Sequence, residues 1–402
     1  MNFANRIVRW TLALVVAGAS WLGMVESSRA STPSALQRKI AARQHYLGED
    51  NVNPRTGAVA KRKFVLSWFG VSSLAMAING HVVLLDGYIN TAQTNDMSYV
   101  GTSYGELADL HPEALFIGHA HGDHAQGVSF IAEKNPGLRI YGTPEQCDQV
   151  RADAVTNGYK TPIRCLGVVS PGSPAGTQLN NVPALKGVCA QVVKHLHSNP
   201  HPPDPDYPLV ETPFMFPDIP TVLMHPPGRA VAEPADEGIK SAGNEGFSLL
   251  WQFSLGKFTF TWNDTEGPLK EEAPQILDLF RTKLWPTSIH AGALAGLDIP
   301  NFWRDPALYE KAIESRLYIP LHHDFPTSYG LNRDWQRLYR KWLGVVGIPA
   351  DHQPRFRWLS DPDDYLQPLV FDPSGSYWST QPRGDRPTSP CARSTKKGAR
   401  SR

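Results

Sequence analysis

The run His119-Ala120-His121-Gly122-Asp123-His124 constrains this 402-residue chain more than any other feature. Four residues of metal-ligand type, three His and one Asp, occupy six positions, a density that packing alone does not explain. An apolar stretch over 114–117 leads into the run and a helical stretch over 125–134 leaves it, which places it at a strand-to-helix turn. His119 and His121 are two apart, so extended backbone aims both rings to one side. Gly122 lets the chain turn, and Asp123 and His124 then face a second point nearby. Imidazole and carboxylate together suit zinc, and the same donors accept manganese or iron.

The flanking sequence supplies a framework. A helix is expected from Ser34 to Gly48, with Ser34 and Gln37 as a capping box. Short apolar runs separated by Gly over 64–68, 73–78 and 81–85 read as a strand meander. Strands at 114–117, 138–141 and 188–195 then alternate with helices at 125–134 and 144–157. A hairpin over 247–262 turns at Leu255-Gly256. Helices at 270–284, 307–315 and 331–343 alternate with strand ends at 288–290 and 317–321. Two similar halves, each with helices outside a sheet, predict an α/β (α+β) four-layer αββα sandwich.

Residues 1–30 carry Arg6 and Arg9, an uncharged stretch over 10–25 and the small-x-small site Ser28-Arg29-Ala30. They read as a cleaved export signal, too short to span a bilayer comfortably, so no stable membrane span is expected after cleavage. Residues 31–62 form an N-terminal helix and linker, and 63–372 the main domain. Within it, 199–240 is a Pro-rich insert, read as a lid, a pocket wall or disorder. Residues 373–402 are expected to be a disordered tail. Export implies an oxidising compartment, periplasmic or extracellular. Of four Cys, Cys147 and Cys165 close a short loop and are the expected pair; Cys189 reads as a buried thiol and Cys391 as part of the tail. Net charge is +1, and the body lacks the basic stripe of a nucleic-acid binder.

The histidine run resembles the signature of the metallo-β-lactamase superfamily, and further landmarks follow in order between about residues 63 and 330. Asp86 closes Val83-Leu84-Leu85-Asp86, His197 lies in Lys194-His195-Leu196-His197-Ser198, Asp264 ends Phe260-Thr261-Trp262-Asn263-Asp264, and His322 follows Ile319-Pro320-Leu321. The resemblance implies that His119, His121 and His197 hold one ion. Asp123, His124 and His322 would hold a second, with Asp264 bridging the two and Asp86 orienting a ligand from behind. Trp68-Phe69-Gly70 and the Pro-x-His ending are similar to the lactonase and phosphodiesterase-like branch. No Cys stands at a ligand landmark, which points away from β-lactamase activity. His195 competes with His197, and His323 with His322; the family pattern favours His197 and His322. His290 ends a strand and either lines the pocket or is structural.

Two ions about 3.5–4 Å apart can activate water and polarise a substrate oxygen. Two divalent cations against two carboxylates and a hydroxide leave a positive site, suited to an acyl oxyanion or a phosphoester. The leading expectation is hydrolysis of a lactone, ester or related acyl bond in a small-molecule or lipid-like substrate. Asp123, Asp264 and His290 are the candidate catalytic side chains, with Asp123 or His290 donating the leaving group's proton. Phosphodiester or phospholipid-type hydrolysis is the alternative at the same site. A non-catalytic metal scaffold and an iron-based redox role are readings from other classes.

Overall fold

The structure, a computed structural model, describes residues 32–89, 101–207, 239–241, 243–294, 301–324, 332–359, 363–379 and 386–394. The expected export signal lies outside the described residues, as does most of the insert at 199–240. Residues 1–33 and 34–402 are separate units, and the architecture here is that of the second.

Two seven-stranded sheets form the body. The first contains β1 (Phe64–Trp68), β2 (Leu74–Ile78), β3 (His81–Leu85), β4 (Ala114–Phe116), β5 (Arg139–Gly142) and β6 (Cys165–Gly167). The second contains β7 (Gln178–Asn180), β8 (Cys189–His195), β9 (Ser248–Leu255), β10 (Phe258–Asn263), β11 (Ile289–Ala293), β12 (Leu317–Leu321) and β13 (Arg355–Phe356). The late strand β14 (Leu369–Phe371) returns to pair with β1 and completes the first sheet. The orders are β14-β1-β2-β3-β4-β5-β6 and β13-β12-β11-β10-β9-β8-β7. In each, an antiparallel half joins a parallel half: β3 to β6 run parallel in one, β10 to β13 in the other.

Both sheets are nearly continuous in apolar residues because both faces are covered. Across the inner faces, the Phe64 ring lies 4.9 Å from Phe258 and 5.1 Å from Phe260, and Phe116 lies 4.9 Å from Trp251. Helices Ala35–Leu47 and Pro144–Thr156 pack on strands of the first sheet, and Arg304–Ile313 on the second. The layers are therefore helix, sheet, sheet, helix, the αββα sandwich expected from the sequence.

Local chemistry explains most boundaries. The Ser34–Gln37 capping box opens the first helix, and Gly48, at φ 81°, ends it. A second box, Thr143 with Gln146, opens Pro144–Thr156. The expected helix at 125–134 begins earlier and is broken, as Gly122–Ala125 and Val128–Lys134. Its break is Gly127, where a Cβ would stand 2.2 Å from the Tyr104 ring. Pro274 likewise splits the expected helix at 270–284 into Leu269–Glu272 and Pro274–Lys283.

Two expectations need correction. Cys147 and Cys165 are bonded as expected, but Cys189 is no free thiol: it is bonded to Cys391. The stretch after 373 is not wholly a loose tail either. It contains helices Ser376–Ser379 and Pro390–Ser394. Arg386 donates to Phe280 O at 3.0 Å and to Ala312 O at 2.6 Å. Composition misled there because one crosslink and one enclosed guanidinium order a segment that has little apolar surface of its own.

The Cys189–Cys391 bond joins residues 202 apart. On chain entropy alone, such a loop is worth about 5 kcal/mol. Replacing both cysteines by Ser should lower Tm by roughly 6 °C and open the region beyond residue 372 to proteases, read by calorimetry and mass spectrometry of the fragments. An unchanged Tm and cleavage pattern would contradict the crosslink.

Candidate metal centre

The strands deliver their polar residues to one end of the sandwich. Asp86 follows β3, the histidine run follows β4, His197 follows β8, Asp264 follows β10 and His322 follows β12. All are carboxyl ends of strands, where the ladder stops and side chains are freed to converge.

Tautomers define the first group. His119 Nδ1 donates to Asp264 Oδ2 at 2.7 Å, and His197 Nδ1 donates to Ser198 O at 2.7 Å. Each ring is thereby left with a lone pair on Nε2. Those two atoms face one another at 3.2 Å, and His121 Nδ1 stands 3.0 Å from His119 Nε2. Two imidazole lone pairs at this distance repel unless a cation lies between them. Burial, then the His197 and His121 rings, hold the His119 pKa well below the ordinary value, and burial lowers that of His197. Both are the neutral forms a cation requires.

The second group has the same character. His124 Nδ1 lies 2.9 Å from both Asp86 Oδ2 and Ser72 Oγ. Its Nε2 is buried without a hydrogen-bond partner and lies 3.5 Å from Asp123 Oδ2. His322 Nε2 is 3.7 Å from the same oxygen. Burial opposes ionisation of Asp123, but the His124 and His322 rings outweigh it and hold its carboxyl far below the usual range. Burial, followed by repulsion from Asp264, pushes Asp86 well above that range. A cation beside His124 would draw Asp86 down again. Facing donor atoms without hydrogens between them, in a buried cluster of His119, Asp123 and His124, fit a metal ion.

Asp264 stands with Asp86 and His124 in a second buried group whose ligand atoms lie within 4.8 Å of one another. Its Oδ2 accepts from the His119 backbone N–H and ring, and lies 3.4 Å from His124 Nδ1, so it backs both rings. Its Oδ1 is buried without a hydrogen-bond partner. The space it fills exists because residue 118 is Gly: a Cβ there would stand 2.1–2.4 Å from the carboxylate atoms.

The competing histidines separate cleanly. His195 is buried away from the group, with Nδ1 3.1 Å from Tyr309 Oη. His323 lies between Trp68 and Trp358, with ring centroids 5.4 and 5.1 Å away. Burial brings both pKa values down to about 4. His290 does not line the pocket. It is fully enclosed, with Nδ1 2.8 Å from Glu310 and Nε2 2.7 Å from Asn263. Glu310 lies on helix Arg304–Ile313, so Nδ1 is turned towards that helix.

Supporting residues hold the strand exits, and of these Gln146, Trp262 and Tyr365 escaped the sequence reading, while Ser72 and Asp324 stood out there only by their place in the chain. Gln146 Nε2 donates to Gly118 O at 3.0 Å and to Phe247 O, fixing the backbone just before His119. Ser72 donates to Asp86 at 3.0 Å, and Trp262 Nε1 donates to Ser72 O at 3.1 Å. Asp324 accepts from Val71 N and Tyr365 Oη, while His322 N donates to Val71 O at 2.9 Å.

No family model and no curated protein matches the chain. Solved structures resemble it at low identity, among them metallo-hydrolases and CmlA, a diiron β-hydroxylase of Streptomyces venezuelae at 12% identity over 78% of this chain and 55% of its own, with a TM-score of 0.39. Igni18, a metallo hydrolase of Ignicoccus hospitalis, shares 13% identity over 77% of this chain and 98% of its own, with a TM-score of 0.44. YhfI, a metallo-β-lactamase fold protein of Bacillus subtilis, shares 10% over 77% and 99%, with a TM-score of 0.43. Zinc-bound PqqB of Methylobacterium extorquens shares 10% over 81% and 90%, with a TM-score of 0.41. At these identities and scores, nothing of substrate or reaction carries over, and no branch is singled out.

Gly118→Ala should displace Asp264 and weaken metal retention at least tenfold while circular dichroism stays unchanged; retention equal to wild type would show that the carboxylate is not confined. His195 and His323 bind protons less readily folded than unfolded. Their contribution to stability is complete above pH about 6.5 and falls towards pH about 4, by ~3 kcal/mol per ring. Replacing His323 by Gln should flatten this part of the stability–pH curve, measured by denaturant unfolding.

Proposed function

We propose that this protein is an exported, dinuclear metal-dependent hydrolase of lactones, esters or related acyl bonds. The observation that carries the reading is the approach of His121 Nδ1 and His197 Nε2 to His119 Nε2, at 3.0 and 3.2 Å, beside an unpartnered His124 Nε2. His119, His121 and His197 would hold one ion, and Asp123, His124 and His322 the second; zinc suits the donors best, and manganese or iron is accepted. Such cations polarise a substrate oxygen and lower the pKa of water to about 7.

The chain's own residues divide the remaining work. Asp86 and Ser72 fix the tautomer of His124, and Asp264 fixes that of His119, so each ring presents Nε2 to the site. Asp123 keeps a quarter of its side chain exposed beside His124 and His322, and this placement at the opening is what supports it as the group that passes a proton to the leaving group. His290, with both nitrogens engaged, is removed from that role. Two disulfides support an oxidising location. Among the described residues, no helix is long and apolar enough to cross a membrane.

His121→Ala should lose stoichiometric metal and turnover together, read by elemental analysis and a panel of lactones, esters and phosphodiesters. Metal-free protein that retains activity would overturn the proposal. Activity confined to phosphodiesters would move the substrate class, and bound metal with no turnover on any member would favour a scaffold.

A further inference from the structure

The segment Gly243–Phe247 enters β9 between the histidine run and the chain that carries His197. In the β8–β9 register, His195 pairs with Ser248, so the chain just before Ser248 runs beside the chain that carries His197. From the other flank, the N–H of Ala120, between His119 and His121, donates to Glu245 O at 2.8 Å. The segment is held firmly. Thr143 Oγ1 donates to Gly246 O, Gln146 Nε2 donates to Phe247 O, and Phe247 is kept at φ 70°, a strained conformation for an aromatic residue.

Glu245 is half-buried at this position. Among the described residues, its carboxylate makes no hydrogen bond and no ion pair. Lys194 does not neutralise it: that ammonium donates to Ser173 O, lies 3.3 Å from the centre of the Phe247 ring, and belongs to a residue 1% exposed.

We infer that Glu245 sets substrate charge at the mouth of this centre, admitting neutral acyl substrates and disfavouring anionic ones. This rests on the acyl-hydrolase reading and narrows it. A fixed negative charge near the opening raises the electrostatic work of bringing in a phosphodiester or a carboxylated ester, and leaves an uncharged lactone or ester unaffected to first order. The effect is screened by salt.

The metal-loaded wild type, Glu245→Gln and Glu245→Lys are compared in two ways. The first is the ratio of kcat/KM for bis(p-nitrophenyl) phosphate to that for p-nitrophenyl acetate. The second is the affinity for inorganic phosphate by calorimetry, which needs no turnover. Both should rise about fivefold in Glu245→Gln and further in Glu245→Lys, with the gain shrinking at 1 M salt. Asp278→Asn, on an outer helix and paired with Arg281, serves as the control and should move neither. Ratios and phosphate affinities within twofold of wild type in both variants would overturn the inference. If the wild type hydrolyses neither ester, the acyl-hydrolase reading fails by itself, and the phosphate measurement still decides the role of Glu245.

Discussion

Lone pairs that face each other in a buried site are the constraint on which this structure depends. Folding fixes the tautomers of His119 and His197 through Asp264 and Ser198 O, and that of His124 through Asp86 and Ser72. The remaining nitrogens then point at one another or at Asp123, with no hydrogen to share. Buried polar atoms without partners cost kilocalories each. A cluster of this kind is tolerable in a protein whose stability is completed by a cation, because ligand binding to the native state alone adds to folding.

The sandwich makes such a cluster affordable by enclosing it at strand ends rather than within the sheets. Each ladder ends in satisfied backbone, and five strand exits bring their first free side chains together. Polar anchors then hold the exits: Gln146 on Gly118 O, Trp262 on Ser72 O, Asp324 on Val71 N. These anchors are buried and fully engaged, so they act on the position of ligands rather than on substrate. The opening is left to Asp123, to the partly exposed His121 and His197, and to the Gly243–Phe247 wall.

Much of this was legible in the chain. The meander over 64–85, the hairpin at Leu255-Gly256 and the capping box at Ser34 follow local rules of periodicity and turn chemistry, and the layer arrangement follows from their order. Short edge strands such as β7 and β13 were not legible, since three or two residues carry no period. The bonding of Cys189 to Cys391 was hidden because a contact between residues 202 apart has no local signal. Gly118 carries no local signal; only the Asp264 carboxylate packed where its Cβ would be shows that space, not φ, is what it provides.

The sequence by itself determined the donor types, their spacing and the strand exits from which they project, because a two-residue period and a Gly turn dictate direction over a few residues. Choices between neighbours were decided by tertiary structure. His195 and His197 share a strand exit, and His322 and His323 are adjacent, yet one of each pair reaches the cluster. The other is taken up by Tyr309 in one case and by two indole rings in the other. The same holds for His290, claimed by Glu310 and Asn263 from elements the sequence could not place beside it. Which nitrogen of each ring faces the centre, and what charge guards its mouth, depend on partners brought from far along the chain.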